Sequence, residues 1–488
     1  MQLSLVRELY ACSPILILSL GAILLLLIDV FYQREWPRAA FSAVLIVLAL
    51  GVATSMSSLF QGGQTIFKGF LYADPFSLFF CYVILAGALL SLLIGIASVK
   101  KEGIEAPGEY YALFLMSTAG ALMFAWAAEL IMLFLGLEIM SMALYCLCGA
   151  AVCRPRSSES ALKYFFLGSF SSAFLLYGIA IVYGLAGTMS IPHLAGEIAS
   201  NESSLMYIGI GLVLIGLVFK LGVVPFHFWA PDVYEGAPTP ITAYMACVIK
   251  AAALAVAMRV LWTAFGEYLL YWSGAVWTMA ALTMLFGNLV ALRQRSLKRM
   301  LAYSSIAHAG YILVALLVPG GQFNGGAAAL YYIVAYTVMT IGAFSVVLAV
   351  SSNSSAQHGH DDIARFNGLG YTSPFLGAAL ALFMLSLAGI PPGMAGLLGK
   401  FYVFSAAVQA NYVGIAIIGV ISSAISCYYY LRVIVAIYFV EPDAEDRNSP
   451  ETTLSFRGSV LACMIGVVLL GIFPVGLYEY ATRVMLEF

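Results

Sequence analysis

The sequence consists largely of long apolar runs, and most of them have the length of a helix that crosses a lipid bilayer. A helix needs about 20 apolar residues to cross the hydrocarbon core, whereas a membrane β-strand needs only about 10. Hydrophobic residues make up 62% of the 488 residues and charged residues 9%, against about 25% charged residues in a soluble domain. The runs predict an all-α polytopic membrane protein with about fourteen transmembrane helices, at residues 13–31, 38–57, 75–98, 109–127, 130–149, 162–186, 205–228, 240–262, 272–292, 299–317, 328–350, 374–408, 412–438 and 456–476.

The twelfth run is too long for one membrane crossing. As a helix its 35 residues would extend about 50 Å, and the segment GIPPG at 389–393 is expected to break it. The seventh run has a similar interruption, FKLGVVP at 219–225, five helices earlier. The two breaks predict two five-helix units between an N-terminal three-helix segment and a C-terminal helix 14, with boundaries at 1–108, 109–262, 272–438 and 439–488.

Basic residues are distributed unevenly between the loops. If the N-terminus lies outside the cytoplasm, thirteen Lys and Arg fall in inside loops, against only Arg7, Lys68 and Arg483 outside. This bias predicts that both termini lie outside. A net charge of −2 without a basic stripe excludes nucleic-acid binding. The eight cysteines match no ligand spacing and are interpreted as packing residues, and the loop segment HGHDD at 358–362 as solvated rather than metal-binding.

Six basic residues remain inside the predicted spans. Arg259 and Arg432 lie near helix ends, from which their side chains can reach the interface. Lys163 lies about one turn inside its helix. The other three lie deep in their spans, where an isolated charge costs at least about 2.5–3.5 kcal/mol, so each must face the bundle interior or water. These three are Lys220, Lys250 and Lys400.

Lys400 is expected to lie beyond the second break. Lys400 follows Pro392 by eight residues, which is about 12 Å along a helix. We therefore expect it beside a hydrated cavity, between the middle of the membrane and the outer surface.

Glu138 is the clearest carboxylate at mid-membrane depth. Moving a carboxylate toward or away from a buried lysine changes the pKa of the lysine by several units, which suffices to load and release a proton. The buried charges are therefore interpreted as a proton relay, with structural ion pairs as the alternative. His308 and His227 are either relay members or hydrogen-bonded packing residues. The tyrosines at 428–430 either carry protons or belong to an interfacial aromatic belt.

Six segments together carry a family resemblance: EYYALFLMSTAGALMFA, FLGLEIMSMALY, FKLGVVPFHFWAPDVYEGAPTPITAYMA, LKRMLAYSSIAHAGY, LSLAGIPPGMAGLLGKFYVF and AISCYYYLRV. Over residues 72–440 the chain resembles subunit N of proton-pumping NADH-quinone oxidoreductase, respiratory complex I, in the antiporter-like family. The resemblance implies fourteen helices with two inverted five-helix repeats and broken helices 7 and 12. It also implies roles in proton transfer for Glu138 and Lys163, which together tune the first half-channel, and for Lys220, Lys250, His308, Lys400, His227 and Tyr429, the last within one residue.

The same resemblance implies that this chain binds no cofactor. The complex uses NADH, FMN, iron–sulfur clusters and a quinone in other subunits, and the sequence has neither a GxGxxG motif on a strand nor cluster-ligand cysteines. The implied partners are other membrane subunits, the lipid bilayer and protons, and the implied location is the bacterial inner membrane.

Two other functions remain open at the level of sequence. A subunit of a multisubunit cation/proton antiporter or of a membrane-bound hydrogenase would share the fold and the lysines, although FHFWAPDVYEGAPTP and the tyrosine run favour complex I. A scaffold without transport activity is the third alternative, but buried lysines at 220, 250 and 400 would only cost it insertion energy.

Overall fold

The structure, a computed structural model, describes residues 2–32, 36–60, 63–96, 99, 102–104, 106–198, 203–319, 325–351, 361–441 and 452–488. Most of these residues are helical, which confirms the predicted all-α class. The strands described, β1 (Gln64–Ile66) and β2 (Leu71–Ala73), form one small antiparallel hairpin.

The helices up to residue 259 are α1 (Gln2–Ala11), α2 (Ser13–Phe31), α3 (Arg38–Ser55), α4 (Pro75–Gly95), α5 (Pro107–Trp126), α6 (Leu130–Cys148), α7 (Pro155–Ala186), α8 (Ile191–Ile198), α9 (Ser204–Leu221), α10 (Trp229–Gly236), α11 (Thr239–Tyr244) and α12 (Lys250–Arg259). The last two belong to one continuous helix, because a π-helical turn at Met245–Ile249 joins them.

The remaining helices are α13 (Leu269–Ala291), α14 (Leu297–Leu316), α15 (Gly325–Ser351), α16 (Leu369–Thr372), α17 (Pro374–Ala388), α18 (Met394–Gln409), α19 (Val413–Phe439), α20 (Leu454–Ile472) and α21 (Pro474–Leu486). The predicted C-terminal span, 456–476, runs past Pro474, at which the structure starts a new helix because proline is favoured in the first helical turn. Within the described residues, eleven helices are long and apolar enough to cross a membrane, so the number fourteen remains a prediction.

Glycines bring two pairs of helices into close contact. Between α5 and α6, a Cβ atom on Gly120 or Gly136 would lie 2.5 Å from a backbone nitrogen of the other helix. Between α13 and α14, a Cβ on Gly287 or Gly310 would lie 2.8–2.9 Å from the opposite backbone. Small residues on both partners allow membrane helices to pack backbone against backbone. The two pairs occupy corresponding places in the two predicted five-helix units.

Both predicted breaks are present. In the predicted seventh span the helix α9 ends at Leu221, and the next helix, α10, begins just beyond that span; the predicted twelfth span is divided into α17 and α18. Each first half ends at a glycine in the left-handed region, Gly222 with φ 73° and Gly389 with φ 84°, a conformation that glycine adopts without steric cost. The peptide bonds Val224–Pro225 and Pro391–Pro392 are both cis.

The loops meet at two ends of the bundle. At one end the segments near residues 102, 239, 297 and 361 are joined by hydrogen bonds. At the other end β2 pairs with Ala127, and Glu129 pairs with Ser190. This grouping is what alternating helix directions predict, with the residues of the proposed inside loops at the first end.

Candidate functional site

Lys220 lies in a polar site within the first break. It occupies the last turn of α9, its residue is only 1% exposed, and its ammonium group donates a hydrogen bond of 2.8 Å to Ser141 Oγ on α6. The Nζ atom lies 5.1 Å from the ring centroid of Tyr164 and 5.6 Å from that of Tyr145. At the break, the Phe219 carbonyl in the last turn of α9 accepts a hydrogen bond of 3.1 Å from Trp229 Nε1.

Glu138 lies one turn before Ser141 on the same helix. Its charge interacts electrostatically with Lys220, but the described chain has no ion pair within 4 Å between the two. Glu138 Oε1 and the hydroxyl groups of Tyr145 and Tyr164 are buried without a hydrogen-bond partner among the described residues. Buried polar atoms of this kind are the sites at which internal water binds. The surroundings of Lys220 are therefore suited to hydration.

Lys163 forms its ion pairs with side chains other than Glu138, and the expectation that the two together tune the first half-channel stays a prediction. Its Nζ atom forms ion pairs of 2.7 Å with both Glu159 and Asp232, and its side chain is 41% exposed. The physical reason is that α7 begins at Pro155, earlier than predicted, and presents Lys163 to the short helix α10, which carries Asp232.

Asp232 belongs to a charged cluster that the sequence analysis missed. Arg299 Nη1 contacts Asp232 Oδ1 at 2.8 Å and Glu235 Oε2 at 2.7 Å. Candidate site residues were predicted from charges inside the predicted spans, and α10 lies between two of these spans. The spacing of Asp232 and Glu235, one helical turn apart, was the signal that could have identified this cluster.

Lys250 lies directly after the π-helical turn and is 2% exposed. Its ammonium group donates to the Ser305 carbonyl and, at 2.6 Å, to Ser305 Oγ. The same hydroxyl accepts the Tyr336 hydroxyl at 2.8 Å, and Nζ lies 5.7 Å from the Tyr336 ring centroid. Lys250 is therefore held by α14 and α15, which belong to the second predicted unit.

His308 is fully connected, whereas His227 is not. His308 Nδ1 lies 2.6 Å from the Tyr332 hydroxyl and Nε2 lies 3.2 Å from the Tyr430 hydroxyl. His227 is buried against Phe228 and Phe286, and its Nδ1 has no hydrogen-bond partner within the described part of the chain.

Tyr430, and not the predicted Tyr429, lies next to His308. Tyr430 contacts His308 and also Ser304 Oγ, whereas Tyr429 donates to Asn288 Oδ1 at 2.8 Å. A helix turns by about 100° per residue, so neighbouring tyrosines on α19 face different partners.

Lys400 is bound to the break rather than placed beyond it. Its Nζ atom donates to the carbonyls of Leu387 and Ala388, both at 3.0 Å, and to Ser423 Oγ at 2.9 Å. The expected displacement of 12 Å is wrong because α18 starts beside the last turn of α17. The close approach of Gly396 to Ser386, at which a Cβ would lie 1.8 Å from the carbonyl oxygen, demonstrates this overlap.

The two arginines inside the spans do not reach the interface freely. Arg259 is buried and its Nη2 atom lies 2.6 Å from both carboxylate oxygens of Asp74, which corrects the snorkelling interpretation. Arg432 donates to the carbonyls of Leu292 and Gln294, beyond the end of α13. No group of three metal-ligating side chains occurs among the residues described, and His358 and His360 lie outside them.

Comparisons with known proteins agree with one another. The family described as NADH:quinone oxidoreductase/Mrp antiporter, TM, matches residues 127–426. NADH-quinone oxidoreductase subunit N of Trichlorobacter lovleyi is 40% identical, covering 96% of this chain and 95% of its own. A chain of respiratory complex I from Thermus thermophilus superposes with a TM-score of 0.79 at 32% identity, covering 95% and 98%. A chain of the Mrp complex from Dietzia sp. shares the fold at 21% identity, with a TM-score of 0.85 and 97% coverage of both chains.

Proposed function

Because the chain belongs to the family of NADH-quinone oxidoreductase subunit N, we propose that its buried lysines carry protons across the membrane. The driving force is NADH oxidation and quinone reduction elsewhere in the complex. The chain is a membrane subunit of this oxidoreductase, and its own part is a non-redox one. FMN, the iron–sulfur clusters and the quinone belong to other subunits, while the buried polar groups of this chain are amines, imidazoles, carboxyls and hydroxyls, which transfer protons.

One observation supports this proposal most strongly. Lys220, Lys250 and Lys400 are 1–3% exposed, yet among the described residues none of them has a carboxylate within 4 Å. A scaffold would be expected to neutralise such charges with permanent partners, because an unpaired buried ion is costly. A buried amine held mainly by neutral oxygen atoms can exist with or without its proton, as a carrier requires.

The proposed path consists of separate hydrogen-bonded groups. Lys220 with Ser141 forms the first, Lys250 with Ser305 and Tyr336 the second, and His308 with Tyr332 and Tyr430 the third. Lys400 with Ser423 forms the last. A proton moves within a group along hydrogen bonds and between groups through bound water. Proton transfer is therefore controlled at the gaps between the groups.

Glu138 and Lys163 are assigned different parts in this path. Glu138 remains the carboxylate that acts on Lys220, since their charges interact without a closed ion pair. Lys163 acts through Asp232 and Arg299 on α10. A shift of α10 would change both the first break and the start of the helix that carries Lys250.

We also propose the arrangement in the membrane. Residues 109–262 and 272–438 form two inverted units, and both termini face the outside of the bacterial inner membrane. The bias of Lys and Arg in the loops supports this orientation, and the grouping of the loops at two ends of the bundle is compatible with it.

The test is replacement of Lys250, which connects the two units. Lys250→Met in the reconstituted complex should keep NADH:quinone activity measurable and lower proton pumping into vesicles by about tenfold or more, since removing a positioned proton carrier costs about 10²–10⁴-fold. Lys68→Met, in the hairpin, is the matched control. Normal pumping by an assembled Lys250→Met complex would contradict the proposal.

A further inference from the structure

Glu102 is a buried carboxyl group that the proposed path does not use. It lies in the segment between α4 and α5 and is only 5% exposed. Its Oε1 atom accepts the backbone N–H of Thr239 at 3.3 Å, at the first residue of α11. Its Oε2 atom is buried and has no hydrogen-bond partner within the described ranges. One oxygen is thus fixed by a helix N-terminus, which favours an anion, and the other is free to take a proton.

Lys298 contacts the segment between α10 and α11 from the other side. It is 4% exposed, lies in the first turn of α14 and donates to the Ala237 carbonyl at 2.6 Å. Ala237 and Thr239 flank Pro238, which links α10 to α11. Glu102 and Lys298 therefore enclose the connection between the first break and the helix of Lys250.

The charged groups around Glu102 include both exposed and buried side chains. Lys298 and the exposed Arg154 attract its negative charge, while Asp361 repels it, and Tyr110 also lies within electrostatic reach. Burial raises the pKa of the Glu102 carboxyl, an effect that the two basic residues oppose. The Glu102 carboxyl therefore takes up a proton more readily than an exposed glutamate does.

Cys148 is the group that lies near both Lys298 and Lys220, the first lysine of the proposed path. The thiol of Cys148, at the end of α6, interacts electrostatically with both Lys298 and Lys220. Its Sγ atom contacts Met245 Sδ at 3.5 Å, within the π-helical turn before Lys250. Cys148 therefore lies within electrostatic reach of both Lys298 and Lys220.

We infer that Glu102 and Lys298 form a proton-entry site for Lys220. Glu102 Oε2 takes up a proton from water at the adjoining face, and water beside Cys148 passes it to the neutral amine of Lys220. The carboxylate is thereby restored, and Lys298 stays cationic and keeps its hydrogen bond to the Ala237 carbonyl. This inference rests on the proposed function, since it requires Lys220 to be a proton carrier.

The experiment compares two glutamates seven residues apart. Glu102→Gln keeps an oxygen for the Thr239 N–H but cannot release a proton. Pumping should therefore fall by about tenfold, which is less than the effect of about 10²–10⁴-fold typical of losing a positioned proton-transfer group. Glu109→Gln, on an exposed site in the first turn of α5, should pump normally. Pumping at the wild-type rate by Glu102→Gln would overturn the entry site.

Further variants separate this inference from the proposed function. If Lys220→Met fails to pump while Glu102→Gln pumps normally, only the entry site is wrong; if Lys220→Met pumps normally, the proposed path is wrong as well. Should Glu102→Gln fail to assemble, the pair Glu102→Asp and Glu102→Asn decides. Pumping by the Asp variant alone supports a titrating carboxyl, and equal behaviour of the two variants overturns it.

Discussion

Lys220 and Lys400 mark the two breaks of the chain, but the structure holds the two ammonium groups in different ways. Lys220 precedes its break, contacts one hydroxyl and three aromatic rings, and has Glu138 within electrostatic reach. Lys400 follows its break and binds the last two carbonyls of α17. The C-terminus of a helix carries partial negative charge, so a fixed feature of the backbone stabilises the charge of Lys400. At Lys220 that part falls to a side chain that can move or change its protonation.

The difference suggests a division of labour within one membrane subunit. The charge on Lys220 can be altered by a carboxylate, and is therefore suited to control by the rest of the complex. The partners of Lys400 include two backbone carbonyls, so in the proposed path its proton is displaced by the arrival of another charge. His308 lies within electrostatic reach of both Lys250 and Lys400, which places it where such a charge would arrive.

The largest effect is expected for Lys400→Met. The methionine removes the titrating amine and also leaves the Leu387 and Ala388 carbonyls without their donor, at a cost of about 1–3 kcal/mol for each unsatisfied group. Both pumping and the thermal stability of the assembled complex should fall. The variant is measured by proton uptake into vesicles and by thermal denaturation of the purified complex.

Lys400→Arg separates the two effects. A guanidinium group can donate to both carbonyls but cannot lose its proton, so stability should be restored while pumping stays low. If Lys400→Arg pumps normally, reversible deprotonation at this position is not part of the mechanism and Lys400 is a fixed structural charge.

Lys220→Met should give the second-largest effect, confined to pumping. Ser141 still donates to the Leu137 carbonyl at 2.5 Å after the amine is removed, so no backbone group loses its partner. We expect pumping to fall by about tenfold or more with unchanged thermal stability. A loss of stability as large as that of Lys400→Met would erase the contrast between the breaks.

Glu138→Gln is expected to have a smaller effect, because it changes the control of Lys220 rather than the carrier. Pumping and quinone-coupled turnover should fall by a factor of about three to ten, less than for loss of the proton carrier itself, because Lys220 still titrates. Assembly, followed on native gels, should be normal. Loss of assembly would instead support the structural ion-pair interpretation of Glu138.

The sequence was sufficient for the helices, for both breaks and for the deepest lysines. Apolar length and Gly/Pro interruptions are local properties, and the cost of burying Lys220 or Lys250 applies whichever neighbours surround them. Partners depend on packing and were predicted less well. The ion pair of Lys163 with Asp232 was not predicted, because the faces of α7 and α10 that meet cannot be read from either segment alone.

Distances across a break were the least predictable feature. The expected displacement of Lys400 assumed that α17 and α18 continue along one axis, whereas the structure places them side by side over the last turn of α17. Neutral partners were also missed. Ser305 and Tyr336 contact Lys250 from distant parts of the chain, and serines and tyrosines in apolar runs carry no signal that distinguishes such a role.

The smallest effects are expected for two serines, and they test the comparison most directly. Ser141 accepts the one hydrogen bond that Lys220 donates within the described chain, whereas Ser423 is one of three acceptors for Lys400. A hydrogen bond to a charged group contributes about 1.5–3 kcal/mol, part of which water restores at a hydrated site. Ser141→Ala should therefore lower pumping by about twofold to fivefold, and Ser423→Ala by less than about twofold, because the two carbonyls of α17 still hold the ammonium group. Equal losses in the two variants, measured as initial rates of vesicle acidification at the same NADH oxidation rate, would mean that the carbonyls do not fix Lys400 and that the two breaks work alike.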